Sequence, residues 1–546
     1  MKIVCRILPF VMLVTFATSS YAGQQEDLMK LKNTTIDLIN ALVKEGVLSA
    51  SRAKTLIADA ERKAETEFKE KEKKEAEGTR DVVRIPYVPK FVRDKIREQV
   101  RSGLRKDVVA DVMARAKKER WGIPGALPDW TRRFKLKGDF RLRFEGDYFS
   151  PDNNPTAYYD WQTINEKGGL FKAGNKVYLN TVKNVNRLRI RMRLGIDAKI
   201  ANNFKAGIRL ATGNPKDPVS TNQTLGQYAQ RYNLSIDQAY LKYDYINPEG
   251  YPSMTLLGGR MPNPWFSTDL VYDHDLNFEG LASQFRFGLP GNHNVPEQDK
   301  RLRSLFLTLG AFPVQQTSRY TDKWLFGAQF GTDLKFEDQS HFQFAVAYYD
   351  YKNIQAVPND YGSVESDWSA PRFMQKGNTT ARISNDVNEL NKNPRLVGLA
   401  SKFKILNLTT KYDYAGFAPV HLMLTADYAK NLGFNQQEVN RLNGSNIKDQ
   451  TTAYRVKFTL GRPGIKKHGD WQVYFGWRYV ERDAVLDAFT DSDFHLGGTN
   501  AKGWVVGSKF GLTKNTWTEV RWLSADEITG PLLGIDILQV DLNTRF

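Results

Sequence analysis

The chain has 546 residues, 41% of them hydrophobic and 12% aromatic, with 78 Lys and Arg against 61 Asp and Glu and a formal net charge of +17. Its single cysteine, Cys5, falls in an N-terminal export leader, so a product cut after that leader has no disulfide and no cysteine metal site. The positive excess is spread thinly along the chain, and an exported protein meets little nucleic acid, which sets nucleic acid aside as a partner.

The leader reads "MKIVCRILPFVMLVTFATSSYAGQQ". Lys2 and Arg6 give a basic start, Ile7–Phe16 an apolar run, and Ser20-Tyr21-Ala22 a small-x-small cleavage site, so residues 1–22 are expected to be a secretory signal peptide. The apolar run is shorter than the roughly 20 residues that a membrane helix needs, and no longer one follows. Residues 23–130 are expected to be helical. Leu28, Leu31, Leu38, Ile39, Leu42 and Val43 recur near helical spacing, Gly46 suits a helix stop and Ser49 can cap a second helix. That helix runs into the mixed-charge string "KEKKEAE", the mark of a solvated or coiled-coil helix. At "WGIPGALPDW", residues 121–130, the period changes from about 3.6 to 2.

Just beyond the junction, "RRFKLKGDFRLRFEGDY" (132–148) alternates without a break. Its even positions run Phe134, Leu136, Gly138, Phe140, Leu142, Phe144, Gly146, Tyr148, and its odd positions Arg133, Lys135, Lys137, Asp139, Arg141, Arg143, Glu145, Asp147. Successive strand side chains point to opposite faces, so one face is apolar and the other charged. The pattern recurs in "NRLRIRMRLGIDAKI", "WLFGAQFGTDLKF", "AYRVKFTLG" and "DWQVYFGWRYVER". In all it predicts about sixteen strands (range 14–18) between 134 and 546, the tenth of them at 395–406. Short links at 201–203, 337–340, 414–418 and 514–515 alternate with long ones at 149–186, 352–394, 431–452 and 483–501; 289–302 is long where a short turn is expected.

A soluble strand buries its apolar face, whereas a strand in a bilayer shows it to lipid and turns its polar face to a wet interior. With no water in the bilayer core, only helices and closed barrels satisfy every backbone group. The reading is therefore an all-β transmembrane barrel of antiparallel strands over 131–546, preceded by an α-helical, coiled-coil-like N-terminal segment. It places the barrel in the outer membrane of a Gram-negative bacterium, in contact with lipid and lipopolysaccharide, with the short turns and the N-terminal segment in the periplasm. The closing "DILQVDLNTRF" sets Leu538, Val540, Leu542 and Phe546 on one parity, and Phe546 is read as the membrane-insertion signal met by the barrel-assembly machinery.

Four stretches carry a family resemblance: "LVKEGVLSASRAKTLIADAE" (42–61), "IPYVPKFVRDKIREQV" (85–100), "ERWGIPGALPDWTRRFKLKGDFRLRFE" (119–145) and "LGGRMPNPWFSTDLVYDHDLNFEGLA" (257–282). In these the chain resembles a family of putative porins from Gram-negative bacteria, in which a helical periplasmic segment precedes a porin-type barrel. The resemblance implies passive diffusion of small hydrophilic solutes, without a cofactor, through a barrel that assembles as a homotrimer. It brings no defined substrate.

If the odd positions of the first strand face the lumen, Arg133, Lys135, Lys137, Arg141 and Arg143 do so, and Arg187, Arg189, Arg191 and Arg193 share a face of the next strand. Such a wall would favour anions. The alternative is that these arginines pair with neighbouring acids merely to satisfy a polar interior. "STDLVYDHDLNFE" (267–279) supplies Asp269, Asp273, Asp275 and Glu279. They stand either in an inward-folded acidic loop facing the basic wall, as in general porins, or in a surface loop that binds divalent cations beside lipopolysaccharide. "DAFTDSDFH" (487–495) lacks the calcium-loop pattern and reads as a polar loop.

Nothing in the motifs points to catalysis. There is no H-E-x-x-H, G-x-S-x-G or P-loop, and the six histidines are scattered. A hydrolase whose triad assembles only in space stays a minor alternative. The other is a structural role in which the helical segment tethers the barrel to the cell wall. No metal site and no cofactor are expected.

Overall fold

A computed structural model describes residues 133–174, 177–289, 303–384 and 396–546, and Ala58 alone before them. The chain divides into two compact units, residues 1–111 and 112–546. The expected leader and, apart from Ala58, the expected helical segment lie outside the described residues.

Sixteen long strands form the second unit. They are β1 (Phe134–Phe149), β2 (Val185–Lys199), β3 (Phe204–Ala211), β4 (Ser235–Ile246), β5 (Pro252–Pro262), β6 (Asn277–Gly288), β7 (Ser304–Gln315) and β8 (Lys323–Lys335). The second half is β9 (His341–Lys352), β10 (Lys404–Tyr414), β11 (His421–Asn431), β12 (Thr452–Gly461), β13 (Trp471–Val480), β14 (Ala501–Thr513), β15 (Thr516–Glu527) and β16 (Gly534–Arg545). Each pairs antiparallel with its neighbours. The sheet closes because β1 pairs with β2 from Phe134↔Ala198 to Asp147↔Val185, and with β16 from Asp139↔Arg545 to Phe149↔Ile535. Closure leaves no open edge, the condition for placing β-structure in hydrocarbon. At the seam the backbones of Gly138 and Phe546 bond each other both ways at 3.0 Å. A Cβ at Gly138 would lie 2.5 Å from the Phe546 ring, so glycine is what lets that ring lie across the seam.

The alternation seen in the sequence becomes the two faces of the wall. Leu136, Leu188, Ile208, Leu281 and Phe458 are exposed on the outside, Leu281 by 67%, whereas Arg143, Glu145, Asp427 and Asp541 are buried on the inside. Aromatic pairs stand at both ends of the outer wall. Phe204 and Tyr243 (centroids 4.8 Å apart) lie towards the short turns, and Tyr454 and Tyr479 (5.2 Å) towards the long loops, the positions of the interfacial girdles of a membrane barrel. No helix among the described residues is long and apolar enough to cross a membrane; the strands do the crossing.

Short turns such as Lys514-Asn515 join strands at one end, and long loops at the other, among them 150–184, 353–403 and 481–500. Of the long link between β6 and β7, residues 290–302 lie outside the described residues. The packed apolar core is on the long-loop side, where loop residues such as Leu270, Tyr272 and Leu486 meet the inner ends of β9 to β13.

The tenth strand differs from expectation. It runs Lys404–Tyr414 rather than 395–406, and Val397–Leu399 pairs instead with Thr380–Arg382 in a two-stranded loop sheet. The apolar string Leu396–Ala400 looks like a strand, but Leu399 and Ala400 are buried among loop residues instead of facing lipid.

Because the outer face of β1 is lipid-facing, Leu142→Arg at mid-strand should destabilise the folded barrel by about 2–4 kcal/mol. Urea titration of folding into lipid vesicles measures this, and an unchanged midpoint would contradict the assigned face.

Candidate functional site

The loop between β5 and β6, residues 263–276, turns into the barrel. Its short polar residues fold it locally. Asn263 Oδ1 accepts from Trp265 N at 2.9 Å, Thr268 Oγ1 from Leu270 N at 3.2 Å, and Asp273 Oδ1 from Asp275 N at 2.8 Å. Its aromatics anchor it. Trp265 packs edge-on against Phe312 (6.0 Å) and Tyr349 (5.3 Å), and Tyr272 against Phe278 (5.0 Å) and Tyr349 (5.1 Å). Gly310 and Gly327 leave room for the indole, since a Cβ at either would come within 2.8 Å of it.

Polar ties fix the tip. Gln329 exchanges hydrogen bonds with the backbone of Phe266 at 2.8–2.9 Å, and Thr268 Oγ1 donates to Asp427 Oδ2 at 2.6 Å. The loop between β13 and β14 (481–500) lies against it. Asp273 N donates to Phe489 O at 2.8 Å, and Ser492 N to Asp273 Oδ2 at 2.9 Å.

The two loops narrow a cavity of about 920 Å³, lined by ten Lys and Arg side chains and six Asp and Glu. Asp275 bonds Arg193 at 3.0 Å and approaches Arg191 at 3.8 Å. Asp269 pairs with Arg455, and Asp491 with Arg478 at 2.9 Å. Asp493 bridges Arg143 (3.0 Å) and Arg521 (2.8 Å). Burial alone would raise the carboxyls of Asp275 and Asp493, but the facing arginines outweigh it and hold both below the usual range. Asp273 forms no ion pair with an arginine among the described residues. Burial, then the charges of Asp491 and Asp275, push it well above that range.

Of the basic residues read from the sequence, Arg141, Arg191 and Arg193 line this cavity. Arg143 is fully buried among Asp541, Glu145 and Asp493. Arg187 meets Glu145 and Asp147 at 2.7 Å, and Arg189 meets Glu145 at 3.1 Å. Lys137 pairs with Asp197 at 2.8 Å. Arg133 precedes β1 and Lys135 sits at its start, both exposed at the short-turn end. They do not line the narrowed cavity, because they lie at the short-turn end of β1, six or more residues before Arg141, which does. Asp269, Asp273 and Asp275 stand at the narrowing. Glu279 does not: it belongs to β6, which starts at Asn277, and pairs with Arg260 at 2.5 Å.

Residues 487–495 are more than a polar loop, because Asp491 and Asp493 reach the arginines of the wall. Arg455, Lys457, Arg478, Lys509, Glu519 and Arg521, on β12 to β15, line the rest of the cavity and were not singled out from the sequence. Their parity within "AYRVKFTLG", "VYFGWRYV", "VVGSKFG" and "TEVRW" is the signal that marks them as inward.

The fold and this lumen define a transmembrane barrel with a charged, loop-narrowed passage, the class of the outer-membrane channels. The chain belongs to the Putative porin family, which it matches over residues 32–546. Among solved structures it is similar to Pseudomonas putida OprB at high pH (11% identity, 76% of this chain and 95% of that one, TM-score 0.43). It is also similar to the outer membrane channel DcaP of Acinetobacter baumannii (11%, 76% and 97%, TM-score 0.38). A third is Salmonella typhi OmpF in complex with daunomycin (11%, 76% and 97%, TM-score 0.38). No curated protein matches.

Asp487, in the same loop as Asp491, is buried with Oδ1 lacking a protein partner, and burial pushes its carboxyl up to about 7. A folded pKa raised above the unfolded one favours the protonated folded state. The stability it gives at acid pH is therefore lost as pH rises from about 4 through about 7. Asp487→Asn should raise Tm at pH 8 and leave it unchanged at pH 4. Equal Tm values at pH 8 would contradict this.

Proposed function

We propose that the protein is a passive diffusion channel for small hydrophilic solutes and ions, and that its narrowed lumen favours anions. The observation that supports this is the excess of ten basic over six acidic side chains around the narrowing. A charged constriction with low-dielectric walls focuses its field on the permeant ion and filters by sign. Paired arginines such as Arg143 add little net field. The preference rests on the excess of cations over carboxylates, with Arg141 (3.5 Å from Asp541) and Lys509 (3.5 Å from Glu519) only loosely paired. Passage asks for no cofactor and no chemical step. In the same reading the outer face meets outer-membrane lipid and lipopolysaccharide, the barrel associates as a homotrimer, and residues 23–130 lie in the periplasm within reach of the cell wall.

In a planar bilayer under a KCl gradient the reversal potential should report chloride preference. The double substitution Arg141→Gln with Lys509→Gln should move it towards zero, folding being checked by heat-dependent gel mobility. A potassium preference in the parent protein would overturn the anion reading and leave the channel standing. A folded barrel without conductance would overturn the channel.

A further inference from the structure

Eight of the ten cations around the narrowing meet a carboxylate: Arg141, Arg191, Arg193, Arg209, Arg455, Arg478, Lys509 and Arg521. Lys411 and Lys457 do not, making no ion pair among the described residues. These two lysines stand on one row of the wall. Lys411 of β10 is in register with Thr425 of β11, and Thr425 with Lys457 of β12. Neighbouring strands lie about 4.7–4.9 Å apart, so the two lysine backbones are about 10 Å apart with the Thr425 hydroxyl between them. Gln343 continues the row on one side and Gly476 on the other, and all five residues line the cavity.

The carboxylates that could neutralise the pair are committed elsewhere. Asp427, two residues beyond Thr425, accepts from Thr268, Asn407 and Thr409. Asp413, two beyond Lys411, holds His421 at 2.7 Å. Lys457 Nζ lies 3.9 Å from the centre of the Tyr474 ring, a cation–π contact that steadies the ammonium without cancelling its charge.

We propose that the Lys411–Thr425–Lys457 row is a binding subsite for a small dicarboxylate anion. One carboxylate meets each ammonium, and the Thr425 hydroxyl donates to the molecule from the strand between. With the Lys457 ammonium held over Tyr474 on the strand beyond it, the two cations suit two anionic groups on a short carbon chain better than a single-centred anion. The proposal rests on the anion-preferring channel reading and narrows it to a substrate class.

The test is calorimetric titration of the full-length folded barrel in detergent with succinate, a measurement that needs no current. Succinate should bind, with acetate and inorganic phosphate at least tenfold weaker. Lys411→Met and Lys457→Met should each weaken succinate at least tenfold and bring it near acetate, whereas Lys457→Arg should keep binding and Lys514→Met, in a short turn, should leave it unchanged. Phosphate binding as tight as succinate, or succinate binding unaffected by either lysine, would overturn the two-point grip. Chloride preference in the bilayer without succinate binding would overturn the subsite and leave the channel reading intact. Succinate binding by a barrel without conductance would support the subsite and overturn the channel.

Discussion

The hydrocarbon core of a membrane offers no water to a backbone amide, and the architecture follows from that constraint. Every N–H and C=O of the crossing segments must find a partner in the protein, and sixteen strands closed on themselves supply one for each. Closure also explains the reversed polarity of the wall. Leucines and phenylalanines that would form the core of a soluble protein face outward, while the charged positions turn to the lumen. The packed apolar core is displaced to the long-loop side, where loops meet the inner ends of the strands.

A polar interior brings its own difficulty, since charges on a low-dielectric wall are costly unless compensated. The barrel meets it with lattices that tie strands to loops. Arg143 is held by Asp541 on β16, by Glu145 on its own strand and by Asp493 from a loop. Asp275 brings a second loop onto Arg193 of β2. The pairs that neutralise the wall are therefore the same pairs that pull two loops inward and narrow the passage. Compensation is incomplete on the opposite side, where Lys411 and Lys457 line the cavity without an ion pair among the described residues.

Some of this was legible in the chain and some was not. Sixteen strands could be read because the period-2 pattern is local, each residue's face being set by its neighbours two positions away. The tenth strand was misplaced because Leu396–Ala400 is apolar for a different reason, burial under loops, and composition does not distinguish that from lipid contact. The acidic residues after β5 were visible as a group, yet nothing local tells an inward loop from a surface loop. Trp265 and Tyr272 settle it by packing against Phe312 and Tyr349, residues distant in sequence.

Sequence alone determined the class of the protein: the alternating faces, the loop lengths and the even strand count follow from short-range chemistry and from what a bilayer permits. Which arginines are neutralised and which cations stay free was decided only by the closed fold. An ion pair such as Arg143 with Asp541 joins positions 398 residues apart, and no local pattern records a partner brought there by the last strand meeting the first.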